Sequence, residues 1–482
     1  MRLLAAFAAL ALAAGAPAQT MSPEARHVWG FDGSDLTPDP RIRFGVLANG
    51  MRYAILPNRT PARAVAFRLL VRVGAADGAP GEAHYLEHMA FMGSRRIPEG
   101  ARASLERREH LRLGTDFNAH TGDTDTYYRI DLARPDRRQL ERMLLLLRDI
   151  GDGLLLVPEA MERARAEIVA EARQRSGPED RRERDQIAFF LPGTRIAQTT
   201  LTGSETEAAA VSVEGLSRLY GRYYEPRRTT LIVVGDVDPA WLETRIAAEF
   251  DHWPVRASLT DSPPGPIDRA RPSAFRALTT PGGSTWATVA SVAPLGGGDA
   301  SAPRDQGFLQ SLGADMLAAR VLGHRGGDRP FMDAEAAVET YYRTARISRF
   351  SVRAFDGDWR MALGVAEQEL RCALRDGFSE DEFAIAIERE GERLATYTAP
   401  ETSGELANRL TEMIGIGIVP TQPGRAADTR AYLAGIRLDA VNSAFRAAWA
   451  APGRLVHVAN DRPIEGGEAA LAQVWAAGAP CR

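Results

Sequence analysis

The sequence predicts an α+β protein made of two tandem homologous domains, each a mostly antiparallel sheet packed with helices. Short runs of alternating apolar and polar residues, typical of half-buried strands, are separated by longer stretches with helical periodicity. The same order of strands and helices recurs in the second half of the 482 residues, and 45% apolar residues are enough for two packed cores. We place the domains at residues 40–253 and 273–465, joined by a Pro-rich linker at 254–272.

Residues 1–18 have the pattern of a secretory signal peptide. Met1-Arg2 is followed by an apolar run from Leu3 to Ala14 and by the small residues Ala16-Pro17-Ala18. A charged start, a short apolar core and a small-residue cleavage site are typical of such signals. We expect a periplasmic or secreted protein without a membrane span, because no later stretch is long and apolar enough to cross a bilayer.

The composition argues against several classes of function. The 59 basic and 63 acidic residues are interspersed and give a net charge of -4, so no nucleic-acid partner is expected. The basic residues other than histidine are all Arg, which excludes a lysine nucleophile. Export would permit a disulfide between Cys372 and Cys481, but one lies in a predicted helix and the other beside the C-terminal residue, which disfavours it, and two cysteines do not make a Cys-rich zinc site.

In the first domain, the periodicity predicts strands, a helix, two more strands and further helices. Asn49-Gly50 between two apolar runs predicts a hairpin, and the Gly-rich stretch 74–81 predicts a flexible link into the next helix. Pro158 predicts the first turn of a Glu-rich helix. After the hairpin, the predicted strands are 64–73, 114–121, 126–132 and 229–237, and the predicted helices are the one carrying His84, then 99–113, 140–150, 158–174, 213–224 and 239–250.

The second domain repeats this layout. Strands are predicted in 274–293 and 334–353, and helices at 306–322 and 359–375. The segment Gly313 to Leu317 stands in the helix that corresponds to the His84 helix and has no histidine, so this domain is expected to be zinc-free.

Within the helix that follows the Gly-rich link, His84, Glu87 and His88 form a compact polar set. Residues four apart share a helix face, so both imidazoles can reach one ion, and Glu87 stands on the same side. Two neutral imidazoles suit zinc, and a carboxylate beside them can take a proton from water. An ordinary solvated helix face can carry the same residues, so the motif alone leaves both interpretations open.

Three blocks of sequence make a family resemblance recognisable. They are GEAHYLEHMAFMG at 81–93, Asn118-Ala119 followed by Thr121, and YYEPRRTTLIVVGD at 223–236. Their content and order closely resemble the pitrilysin/insulinase zinc peptidases, relatives of the mitochondrial processing peptidase. The resemblance is clear from about residue 44 to 253 and continues with the same layout to about 460. The chain is similar to the N-terminal half of four-domain members.

The resemblance implies a third zinc ligand on the helix that begins at Pro158. Glu171 fits the family's pattern best, and Glu167, one turn earlier, is the alternative ligand. The family's supporting acidic residue is Ala164 here. Its absence removes a group of the kind that orients metal ligands, which is expected to weaken metal binding or activity without abolishing the site.

The resemblance also implies the activity of a zinc-dependent endopeptidase that cleaves peptides or unfolded segments in an enclosed chamber. Glu87 is then the general base that activates a zinc-bound water. Asn118 and Ala119 are expected to bind the substrate at a sheet edge beside the zinc, where a peptide adds as an extra strand. His120 in the same segment is a further candidate for substrate contact.

Family members usually complete the site with an Arg and a Tyr from a zinc-free domain or a partner chain. No segment of the second domain matches that pattern clearly, so a second copy or another polypeptide is expected to supply the pair. The residues considered are Arg320, Arg325, Tyr341, Tyr342 and Arg343. The alternative function is a noncatalytic family member that serves as a scaffold or as the partner subunit of a two-chain peptidase. A zinc-binding protein without hydrolysis is disfavoured by Glu87.

Overall fold

A computed structural model of the protein describes most of the chain from residue 23 onward. The described segments are 23–174, 177–199, 205–256, 263–296, 298–323, 331–341, 345–355, 357–396, 401–422 and 426–481. The predicted signal peptide lies outside these segments.

Six strands form one sheet in the first half of the chain. They are β1 (Arg43–Val46), β2 (Arg52–Pro57), β3 (Val65–Val71), β4 (Phe117–Thr121), β5 (Thr126–Leu132) and β6 (Thr229–Gly235). The order in the sheet is β1-β2-β6-β3-β5-β4, in which only β2 and β6 are parallel neighbours. The hairpin predicted at Asn49-Gly50 joins β1 to β2, and Gly50 has a φ of 84°, which side chains disfavour. β4 lies at one edge of the sheet.

Nine α-helices are described in this half of the chain. They are α1 (Pro23–Trp29), α2 (Glu82–Met92), α3 (Ala101–Arg107), α4 (Arg137–Asp152), α5 (Pro158–Gln174), α6 (Pro178–Phe190), α7 (Glu205–Ala210), α8 (Val213–Tyr223) and α9 (Pro239–Phe250). α5 has the predicted bounds. α3 ends before the predicted residue 113, since the chain turns after Arg107 and His110 has a φ of 58°, outside the right-handed helical region. None of the described helices combines the length and apolar character needed to cross a bilayer.

The second half contains a five-stranded sheet and its own helices. The strands are β7 (Ala274–Thr279), β8 (Trp286–Pro294), β9 (Phe331–Tyr341), β10 (Ala345–Ala354) and β11 (Leu455–Asn460), in the order β7-β11-β8-β10-β9. The helices are α10 (Ser301–Gly323), α11 (Trp359–Asp376), α12 (Glu380–Thr396), α13 (Ser403–Gly415), α14 (Ala426–Gly435), α15 (Leu438–Ala448) and α16 (Gly467–Ala477).

The two sheets share one topology. β7, β11, β8, β10 and β9 occupy the places of β2, β6, β3, β5 and β4, and in each sheet one parallel pair stands at the same point in the order. α10 connects β8 to β9 as α2 and α3 connect β3 to β4, and it carries Gly313 to Leu317 without histidine. The predicted α+β fold of two homologous units with mostly antiparallel sheets is therefore confirmed.

Each sheet is covered on one face by a helix from the other half of the chain. α13 packs Leu406, Leu410 and Ile414 into a core with residues of β2, β3 and β6. Arg68 of β3 is fully buried beneath α13. Its guanidinium donates to the Asp131 carboxylate at 2.7 Å and to Oδ1 of Asn408 at 2.9 Å. Because α13 comes from the second half, this contact fixes the two halves together.

The reciprocal contact places α6 of the first half against β8 and β11. Nε2 of the buried His457 lies 3.0 Å from Oδ2 of Asp185, and Gln186 donates to Oγ1 of Thr288 at 3.1 Å. Burial lowers the pKa of His457. Burial opposes ionisation of Asp185, but hydrogen bonds from His457 and Arg276 outweigh it and lower its pKa. This polar cluster holds α6 on the second sheet.

Cys372 and Cys481 form a disulfide, the outcome that the sequence left open but disfavoured. Their Cα atoms are 5.6 Å apart across a sequence separation of 109. The C-terminal segment folds back on α11, where Gln368 donates to the main-chain oxygen of Pro480 at 2.7 Å and Arg371 to that of Ala479. The sequence could not indicate this, because the pairing depends on how the last helix packs.

Candidate metal centre

The backbone at the start of α2 places its histidines against α5. α2 begins after Gly81, whose φ of 82° turns the chain out of the Gly-rich link. Tyr85 is completely buried and its hydroxyl donates to the main-chain oxygen of Met161 on α5 at 2.6 Å. Burial raises the pKa of Tyr85 to about 12, so it remains a donor at neutral pH. The face of α2 beside Tyr85 is thereby held against α5.

The side chains of His84, His88 and Glu171 converge between these two helices. The two Nε2 atoms are 3.3 Å apart. Nε2 of His84 lies 3.3 Å from Oε2 of Glu171, and Nε2 of His88 lies 3.6 Å from Oε1. Each residue offers one ligand atom within 4.8 Å of the others. The residues predicted as metal ligands are thus brought together.

The spacing of these atoms fits a zinc ion. Ligands about 2.0–2.1 Å from an ion at tetrahedral angles lie roughly 3.4 Å from each other. The 3.3 Å between the two Nε2 atoms is close to that value, and each Nε2 lies 3.3–3.6 Å from one oxygen of the Glu171 carboxylate, His84 from Oε2 and His88 from Oε1. Two imidazoles and a carboxylate are also a donor set that zinc accepts in hydrolases.

Glu167, the alternative ligand, lies outside this cluster. Its Oε2 is 3.3 Å from Nδ1 of His88, the ring nitrogen that faces away from the other ligand atoms. Its Oε1 is 3.4 Å from a guanidinium nitrogen of Arg102 on α3. Nδ1 of His84 is buried with no hydrogen-bond partner among the described residues. Ala164, where the resemblance implies a supporting acid, is completely buried.

The electrostatics of the site favour a cation. Burial opposes protonation of His88, but the hydrogen bond with Glu167 and the negative charges of Glu87 and Glu171 outweigh it and raise the pKa of His88. The hydrogen bond from His88 lowers the pKa of Glu167. The Glu167 carboxylate therefore remains ionised beside His88 at neutral pH, and a cation bound between the imidazoles and Glu171 would be attracted by the negative charge around it.

Glu87 stands beside the cluster and is held by the edge strand. It is half-buried, and its Oε2 accepts a hydrogen bond of 2.6 Å from Oγ1 of Thr121 on β4. Thr121 is buried. The sequence drew attention to Thr121 only as part of a family block. Thr121 lies two residues after Ala119 on β4, and residues two apart in a strand share a face. Its side chain is therefore on the same face as Ala119, where it contacts Glu87.

The hydrogen-bond pattern of β4 shows which main-chain groups face the open edge. Asp131 N donates to Asp116 O, and Gly122 N donates to Asp125 O, which marks alternate residues of β4 as bonded to β5. The N–H and C=O groups of Ala119 and Thr121 consequently point away from β5. Those of Phe117 are bonded by the preceding loop instead. Ala119 is the centre of the exposed part of the edge.

The side chains of Asn118 and His120 are exposed on the opposite face of β4 from Ala119 and Thr121. The Thr121 contact with Glu87 shows that the Ala119 face is the one turned toward α2. Asn118 and His120 thus point away from the metal-ligand cluster.

The candidates for the Arg and Tyr pair remain unassigned. The Arg320 guanidinium donates two hydrogen bonds to the Glu382 carboxylate, at 2.5 and 2.8 Å. The Tyr341 hydroxyl donates to the Glu339 carboxylate at 3.3 Å. Arg325, Tyr342 and Arg343 lie outside the described residues. Neither described candidate is placed at the cluster by these contacts.

The histidines of one helix thus face a carboxylate of another, beside an open strand edge, in an arrangement that could hold a metal ion. Residues 53–188 match the insulinase family of peptidases, peptidase family M16. The chain therefore contains a domain of that family.

Comparison with known proteins supports this assignment. The probable zinc protease PqqL of Haemophilus influenzae is 28% identical over 208 residues, which are 42% of this chain and 22% of that protein. The first half of the periplasmic protease PqqL from Escherichia coli has a TM-score of 0.80 at 19% identity, covering 93% of this chain and 99% of that one. A peptidase M16 inactive domain from Pseudomonas fluorescens has a TM-score of 0.70 at 14% identity, covering 88% and 99%.

The sequence matches and the structural matches cover different shares of the proteins compared. The segment matched to the curated PqqL proteins spans only 22% and 25% of their lengths. The likeness to the solved structures, at under a fifth identical residues, shows the shared fold.

Proposed function

We propose that the protein is a zinc-dependent endopeptidase in which His84, His88 and Glu171 hold the ion and Glu87 is the general base. The observation that carries the proposal is the convergence of both Nε2 atoms and the Glu171 carboxylate at separations that suit zinc. The named zinc proteases among its relatives support it. Bound there, zinc supplies the Lewis acidity that polarises a peptide carbonyl and acidifies a water molecule.

The chain's own groups perform the proton transfers. With Oε2 of Glu87 held by Thr121, Oε1 is the oxygen that accepts the proton of the attacking water. The protonated Glu87 then donates that proton to the leaving amine as the peptide bond breaks. A fixed carboxylate lowers the barrier because its position costs no reorganisation during the reaction.

The substrate we propose is a peptide or an unfolded segment that adds to β4. The outward N–H and C=O of Ala119 would pair with its main chain, beside Glu87. Asn118 would support this contact through its pairing with Arg129 in the sheet and not through its side chain. Such binding reads main-chain shape and sets little sequence preference.

We further propose how the chain is organised for this function. Residues 40–253 would form the catalytic domain, 254–272 the linker and 273–465 a zinc-free domain. The enclosing chamber would need an Arg and a Tyr from a second copy or another polypeptide. Size measurement of the chain alone, and mixing with candidate partners, tests that requirement.

The proposed location is the periplasm or the exterior, with residues 1–18 as the export signal. The disulfide between Cys372 and Cys481 supports this, since such bonds persist in oxidising compartments. The Escherichia coli neighbour is likewise a periplasmic protease. N-terminal sequencing of the purified native protein tests the cleavage after Ala18.

The alternative function is a noncatalytic scaffold or partner subunit, and inactive domains with this fold exist. The retained ligand cluster and the held Glu87 favour the peptidase, because a scaffold has no need of a base beside two imidazoles.

Zinc content and cleavage of a quenched peptide, measured together, test the proposal. The variants are Glu87→Gln and the matched control Glu162→Gln, an exposed carboxylate on α5 paired with Arg165. We expect zinc in all three proteins and cleavage only by the wild type and the control. Cleavage by Glu87→Gln would refute the assigned base, and a wild type without zinc would refute the site.

A further inference from the structure

The carboxylate of Glu167 links three helices behind the metal-ligand cluster. It lies on α5, one turn before Glu171, and contacts Nδ1 of His88 on α2 at 3.3 Å. Its other oxygen lies 3.4 Å from the Arg102 guanidinium on α3. Glu167 thus contacts Nδ1 of the His88 ring, while Glu171 lies near Nε2 of the same ring.

The two histidines differ in this respect. Nδ1 of His84 is buried without a hydrogen-bond partner among the described residues, so none of them orients the ring through that nitrogen. Nδ1 of His88 has a carboxylate acceptor. An acceptor at Nδ1 keeps the hydrogen on that nitrogen and leaves the Nε2 lone pair directed at the metal position.

We propose that Glu167 is a positioning residue that orients His88 for the metal, and that Arg102 holds the Glu167 carboxylate in place. The inference rests on the proposed zinc site. It also accounts for Ala164: a carboxylate at position 167 lies on the same face of α5, since residues three apart are neighbours on a helix, and reaches His88 from there. The supporting carboxylate for His88 thus comes from position 167 of α5 and not from position 164.

Zinc affinity, and not activity, is the direct readout. Dissociation constants are measured by competition with a chromophoric chelator on the full chain, for wild type, Glu167→Ala, Glu167→Gln and Arg102→Ala, with the ligand variants Glu171→Ala and His84→Ala as references. Removing a carboxylate partner of a ligating histidine typically costs about 10–100-fold in metal affinity, and we expect a loss in that range for Glu167→Ala.

The other variants separate orientation from general effects. Glu167→Gln retains an oxygen acceptor for Nδ1 and is expected to lose less than Glu167→Ala. Arg102→Ala is expected to lose only a few-fold, because the acceptor remains. The matched control is Glu162→Ala, which removes another carboxylate of α5 and so breaks its ion pair with Arg165. This variant is expected to bind zinc as the wild type does. Circular dichroism checks that each variant is folded.

Each outcome decides between distinct conclusions. If Glu167→Ala binds zinc as tightly as wild type, Glu167 has no positioning role. If it loses as much affinity as Glu171→Ala, or changes the cobalt(II) ligand-field spectrum as a lost ligand would, Glu167 is itself a ligand and the proposal is wrong. A wild type whose zinc binding is insensitive to His84→Ala would instead refute the zinc site.

Discussion

Replacing Thr121 with valine removes the hydrogen bond to the proposed base and a 3.3 Å contact with Thr126, whose hydroxyl still donates to the main-chain oxygen of Val73 at 2.8 Å. Oγ1 of Thr121 donates to Oε2 of Glu87 at 2.6 Å, and the side chain is 5% exposed. Valine has nearly the same shape, so β4 and its packing should persist. A hydrogen bond to a charged group contributes about 1.5–3 kcal/mol. If Glu87 loses its fixed position, kcat should fall roughly 10–150-fold, because each 1.36 kcal/mol is tenfold in rate.

The assay is cleavage of a quenched peptide by wild type, Thr121→Val and Thr121→Ser, with zinc content measured on the same samples. Serine retains the hydroxyl and should restore most of the lost activity. KM should change little, because the outward main-chain groups of Ala119 remain. Wild-type kcat in a zinc-loaded Thr121→Val protein would refute the positioning of Glu87 by Thr121.

Three further predictions concern stability. Arg68→Met should lower the free energy of unfolding in urea by about 1.5–3 kcal/mol, because it removes the charged donor of the partly exposed Asp131 carboxylate and of Oδ1 of Asn408; an unchanged free energy of unfolding would contradict this. Burial lowers the pKa of His457 in the folded protein. Below about pH 6.5 this imidazole therefore binds a proton in the unfolded chain more readily than in the folded one. As the pH is lowered below about 6.5, the free energy of unfolding should therefore fall by up to about 1.4 kcal/mol per pH unit. His457→Gln should flatten this dependence, and parallel curves of stability against pH for the variant and the wild type would contradict the prediction. Cys481→Ser should lower the unfolding free energy by about 2–5 kcal/mol, and an unchanged melting curve would show that the disulfide constrains nothing.

Local patterns in the sequence were sufficient to predict most of the elements. The Asn49-Gly50 hairpin and the start of α5 at Pro158 depend on residues adjacent in the chain, and both were predicted. The crossing of α6 and α13 to opposite sheets was not predicted. Those contacts join residues far apart in sequence, such as Arg68 with Asn408, and no local periodicity reports them.

The same distinction applies to the site. His84 and His88 were found because they are one helical turn apart. Glu171 lies far along the chain and required the family resemblance. Glu167 was considered only as an alternative ligand, since the sequence does not tell which side of His88 a carboxylate approaches. The contact of Thr121 with Glu87 spans a strand and a helix, so it appeared only in the folded chain.

X-ray absorption at the zinc edge tests the central claim most directly, because it reports the ligands themselves. For the purified, zinc-loaded chain the account predicts two imidazole nitrogens at about 2.0–2.1 Å and carboxylate oxygen, without sulfur. Glu171→Ala should lose the carboxylate contribution while the imidazole signal remains. A wild-type protein that holds no zinc, or a spectrum without the signature of two imidazoles, would contradict the assignment of His84, His88 and Glu171.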